Sequence, residues 1–269
     1  MKLPYDHSAQ FRAVIVRGRA FNELDDLLQL YAQTIFDIAP CKSSDFKRFF
    51  NERLLLRIPS VTKKALDNHR TEIAGKLFGL YFEVDDYINV SKRTLSLIKT
   101  GDQPAFFKDL CSKYQFPSGI NKTKNIKNMI AEGLSIRQFS FLLRVLSILD
   151  EKGIFLDKKQ VGYYVLNSLD VLTRRASPDE VIAQIEKDLS HGIGREVKTP
   201  HKAYSYDMQH INEQINLLLL ANVIRIRNGC LILNKNESDY ISSMASKAME
   251  PPTFDYSKYN LEVPEDEKR

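Results

Sequence analysis

Apolar residues recur along this chain mostly at helical spacing and in short runs. From Asn22 to Ile38, the positions Leu24, Leu27, Leu28, Tyr31, Ile35 and Ile38 recur every three or four residues. That spacing predicts an amphipathic helix, stopped by Pro40. A second helix is predicted from Ser44 to about Ile58, ended by Pro59, and a third from Ser60 or Thr62 to about Asp67. A turn at Asn68–His69 then leads into a further helix, Arg70–Phe78, which Gly79 ends. The run Leu80–Val90 alternates apolar residues on both sides of Asp85–Asp86, the pattern of a β-hairpin. Ahead of these elements, Phe11–Arg19 is a β-branched run that reads as an extended arm.

The middle of the chain reads as connecting helices, Gln103–Tyr114 and Lys122–Glu132, around a turn at Phe116–Gly119. The order then repeats. A helix over Ser135–Asp150 is followed by a short strand, Ile154–Leu156, and a helix capped by Asp157 that runs to about Leu169. Ser177-Pro178-Asp179-Glu180 starts another helix, to about Leu189, because an N-cap, a first-turn proline and acids coincide. Beyond a basic loop, Gly192–Pro200, comes a long helix, Ser205–Asn222. Ile224–Arg227, Asn228–Gly229 and Cys230–Leu233 then form a hairpin with a strong two-residue turn. A last helix, Glu237–Met249, precedes Pro251–Pro252 and an acidic extended tail. The expected fold is mainly α with small β-hairpin wings, as two winged-helix (helix-turn-helix) subdomains joined by connecting helices.

Composition narrows the function. The 269 residues contain 43% hydrophobic side chains, enough for a sizeable core, and no apolar run long enough to span a membrane. Residues 1–10 lack the apolar stretch of a secretory signal, and Cys41, Cys111 and Cys230 form neither a disulfide framework nor a metal spacing. A reducing, cytoplasmic setting in a prokaryote is expected. The net charge of +5 is unevenly spread: residues 1–135 carry 21 Lys and Arg against 15 Asp and Glu, the remainder 18 against 19. A basic first half suits a polyanion, although such asymmetry also marks an ordinary solvated face.

The major groove of duplex DNA admits one helix, whose exposed N-terminal part must offer hydrogen-bonding side chains to base edges. In the first unit that part carries Lys63, Lys64, Asn68, His69, Arg70 and Thr71. In the second, Lys198, His201 and Lys202 suit phosphates, and Tyr204, Ser205, Tyr206, Gln209 and His210 suit base edges or phosphate oxygens. Arg12, Arg17 and Arg19 lie on the arm, where arginines can enter a minor groove. The bland alternatives are a turn residue at Asn68, packing at Tyr206 and solvated charges elsewhere. Arg174–Arg175 could meet a phosphate or nothing.

Several of these stretches carry a family resemblance. Residues 66–79 (LDNHRTEIAGKLFG), 102–119 (DQPAFFKDLCSKYQFPSG), 163–172 (YYVLNSLDVL) and 204–226 (YSYDMQHINEQINLLLLANVIRI) resemble the N-terminal recognition domain of BpuJI-like type IIS restriction endonucleases, as does the FR-x-x-I-x-RG arm at 11–18. The resemblance runs from about 11 to 256. It implies two winged-helix subdomains gripping one duplex as a monomer, at a short, asymmetric site. It also implies a separate C-terminal PD-(D/E)XK nuclease domain that needs Mg²⁺, dimerises and cuts outside the recognised sequence. By position, the arm arginines and residues 68–71 and 204–210 become the candidate DNA contacts. Departures are expected at Asp207 and Asn212, so the binding mode carries over and the sequence read does not.

The implied organisation is a DNA-binding arm (1–21), a first subdomain with its connecting helices (22–134), a second subdomain (135–249) and an acidic linker (250–269) towards a nuclease domain outside the chain. No catalytic or metal site is expected within it. Asp157-Lys158-Lys159 fits D-x-K, with Asp150 upstream, but reads as a helix cap; Pro178–Asp179 is a helix start. His7, His69, His191, His201 and His210 lack zinc spacing, and no phosphate-binding loop or nucleophile elbow is present. A winged-helix transcription regulator or reader of modified DNA is the alternative; a protein-interaction module is a third reading, since fold does not fix function.

Overall fold

The computed structural model describes residues 9–13, 21–195 and 203–256, with backbone alone for 21–26, 63–64 and 203–207. The chain is mostly helical with small antiparallel sheets, and it divides into two compact units, Ile15–Leu110 and Met1–Val14 together with Cys111–Arg269. This division falls at residue 111 rather than at 135, so the helix Thr123–Ala131 belongs with the later elements.

In the Ile15–Leu110 unit, α1 (Phe21–Ile38), α2 (Ser43–Arg57) and α4 (Lys92–Thr100) surround a core that includes Leu28, Tyr31, Ile35, Phe50 and Leu54. Phe46, Phe50 and Leu54 recur every four residues, which aligns them on one face of α2. The third helix begins as α3 (Lys63–Asp67), with the Thr62 hydroxyl accepting from the Ala65 N–H at 3.3 Å. It continues unbroken as a π-helical stretch, Asn68–Leu77. The turn expected at Asn68–His69 is therefore absent. Asn68 has αR backbone angles, and the break between helices comes earlier, between Arg57 and Lys63. A two-residue strand β1 (Cys41–Lys42) pairs with β3 (Tyr87–Val90), which pairs with β2 (Tyr81–Val84), all antiparallel. Asp85 and Asp86, at φ 50° and 63°, make the tight turn between β2 and β3. Helix α4 is not singled out by the sequence; Ser91 caps it and Gly101, at φ 69°, ends it, and α5 (Gln103–Ser112) and α6 (Thr123–Ala131) follow along the chain.

The other unit is built on α7 (Gln138–Glu151), whose Phe139, Phe141, Leu142, Val145 and Leu149 are fully buried. Against it pack α10 (Pro178–Ser190) and α12 (Ser238–Ala245), the latter shorter than expected and preceded by a 3₁₀ turn, Lys235–Glu237. The stretch after Asp157 is α8 (Lys158–Val161) running into a π-helical Gly162–Leu166, then a separate α9 (Leu169–Leu172). The expected strand at Ile154–Leu156 shrinks to a bridge, Asp157 with Cys230, supported by Leu231 N–H to Leu156 C=O at 2.9 Å. Helix α11 (Ala203–Leu220) leads into the hairpin β4 (Ile224–Arg227) and β5 (Cys230–Leu233), with Asn228 and Gly229 at φ 51° and 80° in its turn.

Candidate nucleic-acid interface

In the first unit, helical phase decides which side chains of residues 63–77 face outward. Leu66, Ile73, Ala74 and Leu77 are buried and fix the inner face. Asn68 is exposed and Thr71 half-exposed, so these two are presented to solvent. His69 and Arg70 are turned inward, at 2% and 9% exposure. His69 Nδ1 lies 2.5 Å from the Tyr31 hydroxyl, and the two rings meet edge to face. Arg70 donates to Asp67 Oδ1 at 2.8 Å and to Asn51 Oδ1 of α2 at 3.3 Å. The hydrogen bond from Arg70, followed by one from Lys47, holds the Asp67 carboxyl below the usual carboxylate range. Residues 68–71 thus divide into an outward pair and an inward pair that ties the helix to α1 and α2. The side chains of Lys63 and Lys64 lie outside the described residues.

The β2–β3 hairpin is pinned to this helix. The Tyr81 hydroxyl donates to the Arg70 carbonyl at 3.2 Å, and a Cβ at Gly75 would sit 2.8 Å from that hydroxyl. Only a residue without a side chain admits so close an approach.

In the second unit, Ile211, Ile215 and Leu218 of α11 are fully buried, as is Gln214. His210 is also turned inward, at 6% exposure, with Nδ1 4.0 Å from Glu213 Oε2. Gln209 is half-buried, its amide 3.4 Å from Glu213 Oε1. The side chains of Tyr204, Ser205 and Tyr206, and all of Lys198, His201 and Lys202, lie outside the described residues.

The start of the arm belongs to this second unit. Gln10 bridges to Ser168, the Phe11 N–H donates to Asn167 C=O at 2.7 Å, and Ala13 is buried with its carbonyl 3.5 Å from Gln214 Nε2. The described end of the arm therefore lies against α11, with Arg12 half-exposed. Arg17 and Arg19 lie outside the described residues.

Arg195, which opens the basic loop, was not marked by the sequence. It donates to the buried carboxylate of Asp188 and, at 3.0 Å, to the Tyr163 hydroxyl. Asp188 also accepts from Tyr164 at 2.8 Å and Gln184 at 2.8 Å. Burial pushes this carboxyl up, but the hydrogen bonds outweigh it, so it is held below the usual range. Burial, then the bond to Asp188, pushes the Tyr164 hydroxyl well up. Arg174 is likewise occupied, donating to the Ser135 carbonyl and hydroxyl, and Arg175 pairs with Asp170 at 3.1 Å.

The D-x-K stretch is a cap. Asp157 accepts from the Lys159 and Gln160 N–H groups at 2.7 and 2.8 Å, and Gln160 returns a bond to the Asp157 N–H. Among the described residues, no three His, Cys, Asp or Glu side chains gather as a metal site would require.

The family model for the restriction endonuclease BpuJI N-terminal region matches residues 5–267. The chain belongs to that family. A solved structure of the BpuJ1 endonuclease binding domain, in complex with pyrene- and phenanthrene-modified DNA, superimposes with a TM-score of 0.90. It is 46% identical, over 98% of this chain and 96% of that one. No curated protein matches the sequence. No helix among the described residues is long and apolar enough to cross a membrane.

Proposed function

We propose that this member of the BpuJI N-terminal family is the double-stranded DNA-recognition domain of a restriction endonuclease and binds a short specific site without cutting it. The observation that carries this reading is the 46% identity, over nearly the whole chain, to a binding domain whose structure contains DNA. The element order supports a winged helix in each unit. In both, a short extended segment just before the second helix pairs with the second strand of the hairpin: Cys41–Lys42 with β3, and Leu156–Asp157 with β5. The helices offered to the major groove are then residues 63–77 and α11.

On this reading Lys63, Lys64, Asn68 and Thr71 face the duplex from the first unit. Lys198, His201, Lys202, Tyr204, Ser205, Tyr206 and Gln209 face it from the second, with Arg12, Arg17 and Arg19 along the minor groove. His69, Arg70 and His210 position their helices from behind. The parent enzyme is a hydrolase of type IIS, its strands cut by a Mg²⁺-dependent PD-(D/E)XK domain, and this domain binds an asymmetric site as a monomer in a prokaryotic cytoplasm.

A band-shift screen of random-sequence duplexes with Mg²⁺ present tests the reading. A retained, uncut duplex fraction enriched in one short sequence is expected, with affinity falling steeply as salt rises. Cleavage by the purified chain, or binding indifferent to both sequence and salt, would overturn it.

A further inference from the structure

The two hairpins share a turn geometry and carry opposite charge. In the first, the turn residues Asp85 and Asp86 are both exposed, as is the preceding Glu83. Its register places Phe82, Val84 and Tyr87 together on the outer face, all exposed. The tip carries no cation, and the one cation among the described residues of this face is Lys42 of the neighbouring β1, opposite Tyr87.

The second hairpin is the inverse. Ile224 pairs with Leu233 and Ile226 with Leu231, while Arg225 pairs with Ile232 and Arg227 with Cys230. Ile224 and Leu231 are buried, so the two-residue period of a strand sends Arg225 and Arg227 to the opposite face, where both are exposed. Neither has a carboxylate partner among the described residues, whereas Arg175 and Arg195 of the same unit are ion-paired. Two unneutralised guanidinium groups, on residues whose Cα atoms are about 6.6 Å apart along one strand, form a surface for an extended polyanion.

The hairpin is also fixed relative to α11. The Val223 N–H donates to Leu218 C=O at 3.1 Å, and the Asn234 amide donates to Asn222 C=O at 2.8 Å. On its other side the Leu231 N–H is held by Leu156. A duplex seated against α11 would therefore meet these arginines at a set place.

We infer that β4–β5 is a second DNA-contact element, in which Arg225 and Arg227 take backbone phosphates of the duplex whose groove α11 enters. The acidic β2–β3 hairpin takes none. The inference rests on the duplex-binding reading above and adds a site to it. Each phosphate neutralised by a cation releases counterions, so its loss appears in the salt dependence of binding.

The test compares the full chain with R225Q/R227Q, R225K/R227K and D85N/D86N on a short random-sequence duplex and on the selected site, across a salt series. Asparagine tolerates the positive φ of the first turn, and all four substituted side chains are exposed, so the folds should persist. The slope of log K against log salt should become shallower by about 1.8 in R225Q/R227Q, equally on both duplexes. It should be retained in R225K/R227K and unchanged in D85N/D86N. If the unaltered chain binds with a steep slope and R225Q/R227Q keeps that slope, the inference fails and the arginines serve only to shield an edge strand. A slope that steepens in D85N/D86N would refute the exclusion of the first hairpin. If the unaltered chain binds no duplex, the functional reading itself fails.

Discussion

Arg195 donates to a carboxylate, Asp188, whose side chain is only 1% exposed. The pair fastens the first residues after α10, and so fixes where the loop towards α11 begins. Tyr164 and Gln184 complete the carboxylate's hydrogen bonds, so removing it would strand their donors as well as the guanidinium. Asp188→Ala should lower unfolding stability by about 3 kcal/mol, read as a shift of the urea midpoint. Arg195→Ala should cost less if Tyr164 and Gln184 alone suffice for the charge. A change below about 0.5 kcal/mol in Asp188→Ala would show that the pair does not hold the loop.

The same pair sets an acid limit. The folded Asp188 carboxyl titrates below its unfolded value, because its hydrogen bonds outweigh burial. A depressed carboxyl stabilises the fold above its unfolded pKa, about 3.9, and that contribution disappears as pH falls through the lower folded value. The difference in Tm between the unaltered chain and Asp188→Asn should be constant from neutral pH to about pH 5 and shrink below about pH 4. A difference that shrinks between about pH 7 and 5 would assign the effect to another group, such as a histidine.

Arg70 stands on the helix proposed to face the groove, yet it points away from solvent, into Asp67 and Asn51. Its removal should therefore act through the fold. Arg70→Ala is expected to reduce stability by about 1–2 kcal/mol and to weaken binding evenly across sequences. An affinity loss confined to a single base pair, with stability intact, would instead make Arg70 a base reader that swings out on binding.

Much of this arrangement was legible in the sequence because local chemistry and tertiary demand agree. Asn228–Gly229 permits positive φ at both turn positions, so β4 and β5 fall where the alternation places them. Ser177 with Glu180 forms the capping box that its spacing predicts. The Asn68–His69 turn failed because Asn favours turns only when its backbone is free to leave the helix. Here Tyr31 captures His69, Arg70 bridges to α2, and Tyr81 caps the Arg70 carbonyl, so tertiary contacts keep the chain helical. The inward phase of His69, Arg70 and His210 was illegible for the same reason: polar residue type suggests solvent, whereas buried partners from distant elements set direction. Arg225 and Arg227 could have been found from their alternation with Ile224 and Ile226, which puts both on one face of a strand.

Gly75 is where the first hairpin closes onto the helix. An alanine there gains about 1 kcal/mol of helix propensity but drives a methyl into Tyr81, whose ring is packed at 4.6 Å against Phe46 and cannot swing freely. Overpacking of this kind costs about 1–3 kcal/mol, so the clash should win and Gly75→Ala should be less stable. Tyr81→Phe removes the nearest atom and leaves Cζ at 3.2 Å, so the double variant should recover part of the loss. Strictly additive effects in that cycle would show that the two residues do not meet.

On the proposed reading, Gln209 is a described residue of α11 that can read a base. It sits one residue before the inward-facing His210, on the half-exposed side of the helix. Among the described residues its amide has only the 3.4 Å bond to Glu213, at the weak end of hydrogen-bond geometry, so it can be released at little cost. A glutamine amide matches the N6 and N7 edge of adenine in the major groove, and one such bidentate contact discriminates by about 1–3 kcal/mol. Gln209→Ala should therefore relax preference at one position of the selected site, leave the salt slope as it was, and shift stability by less than about 0.5 kcal/mol. Competition against duplexes substituted one base pair at a time reads this directly. A loss spread evenly over every duplex would move Gln209 from base reading to backbone contact and leave the base edges to the Tyr204–Tyr206 turn.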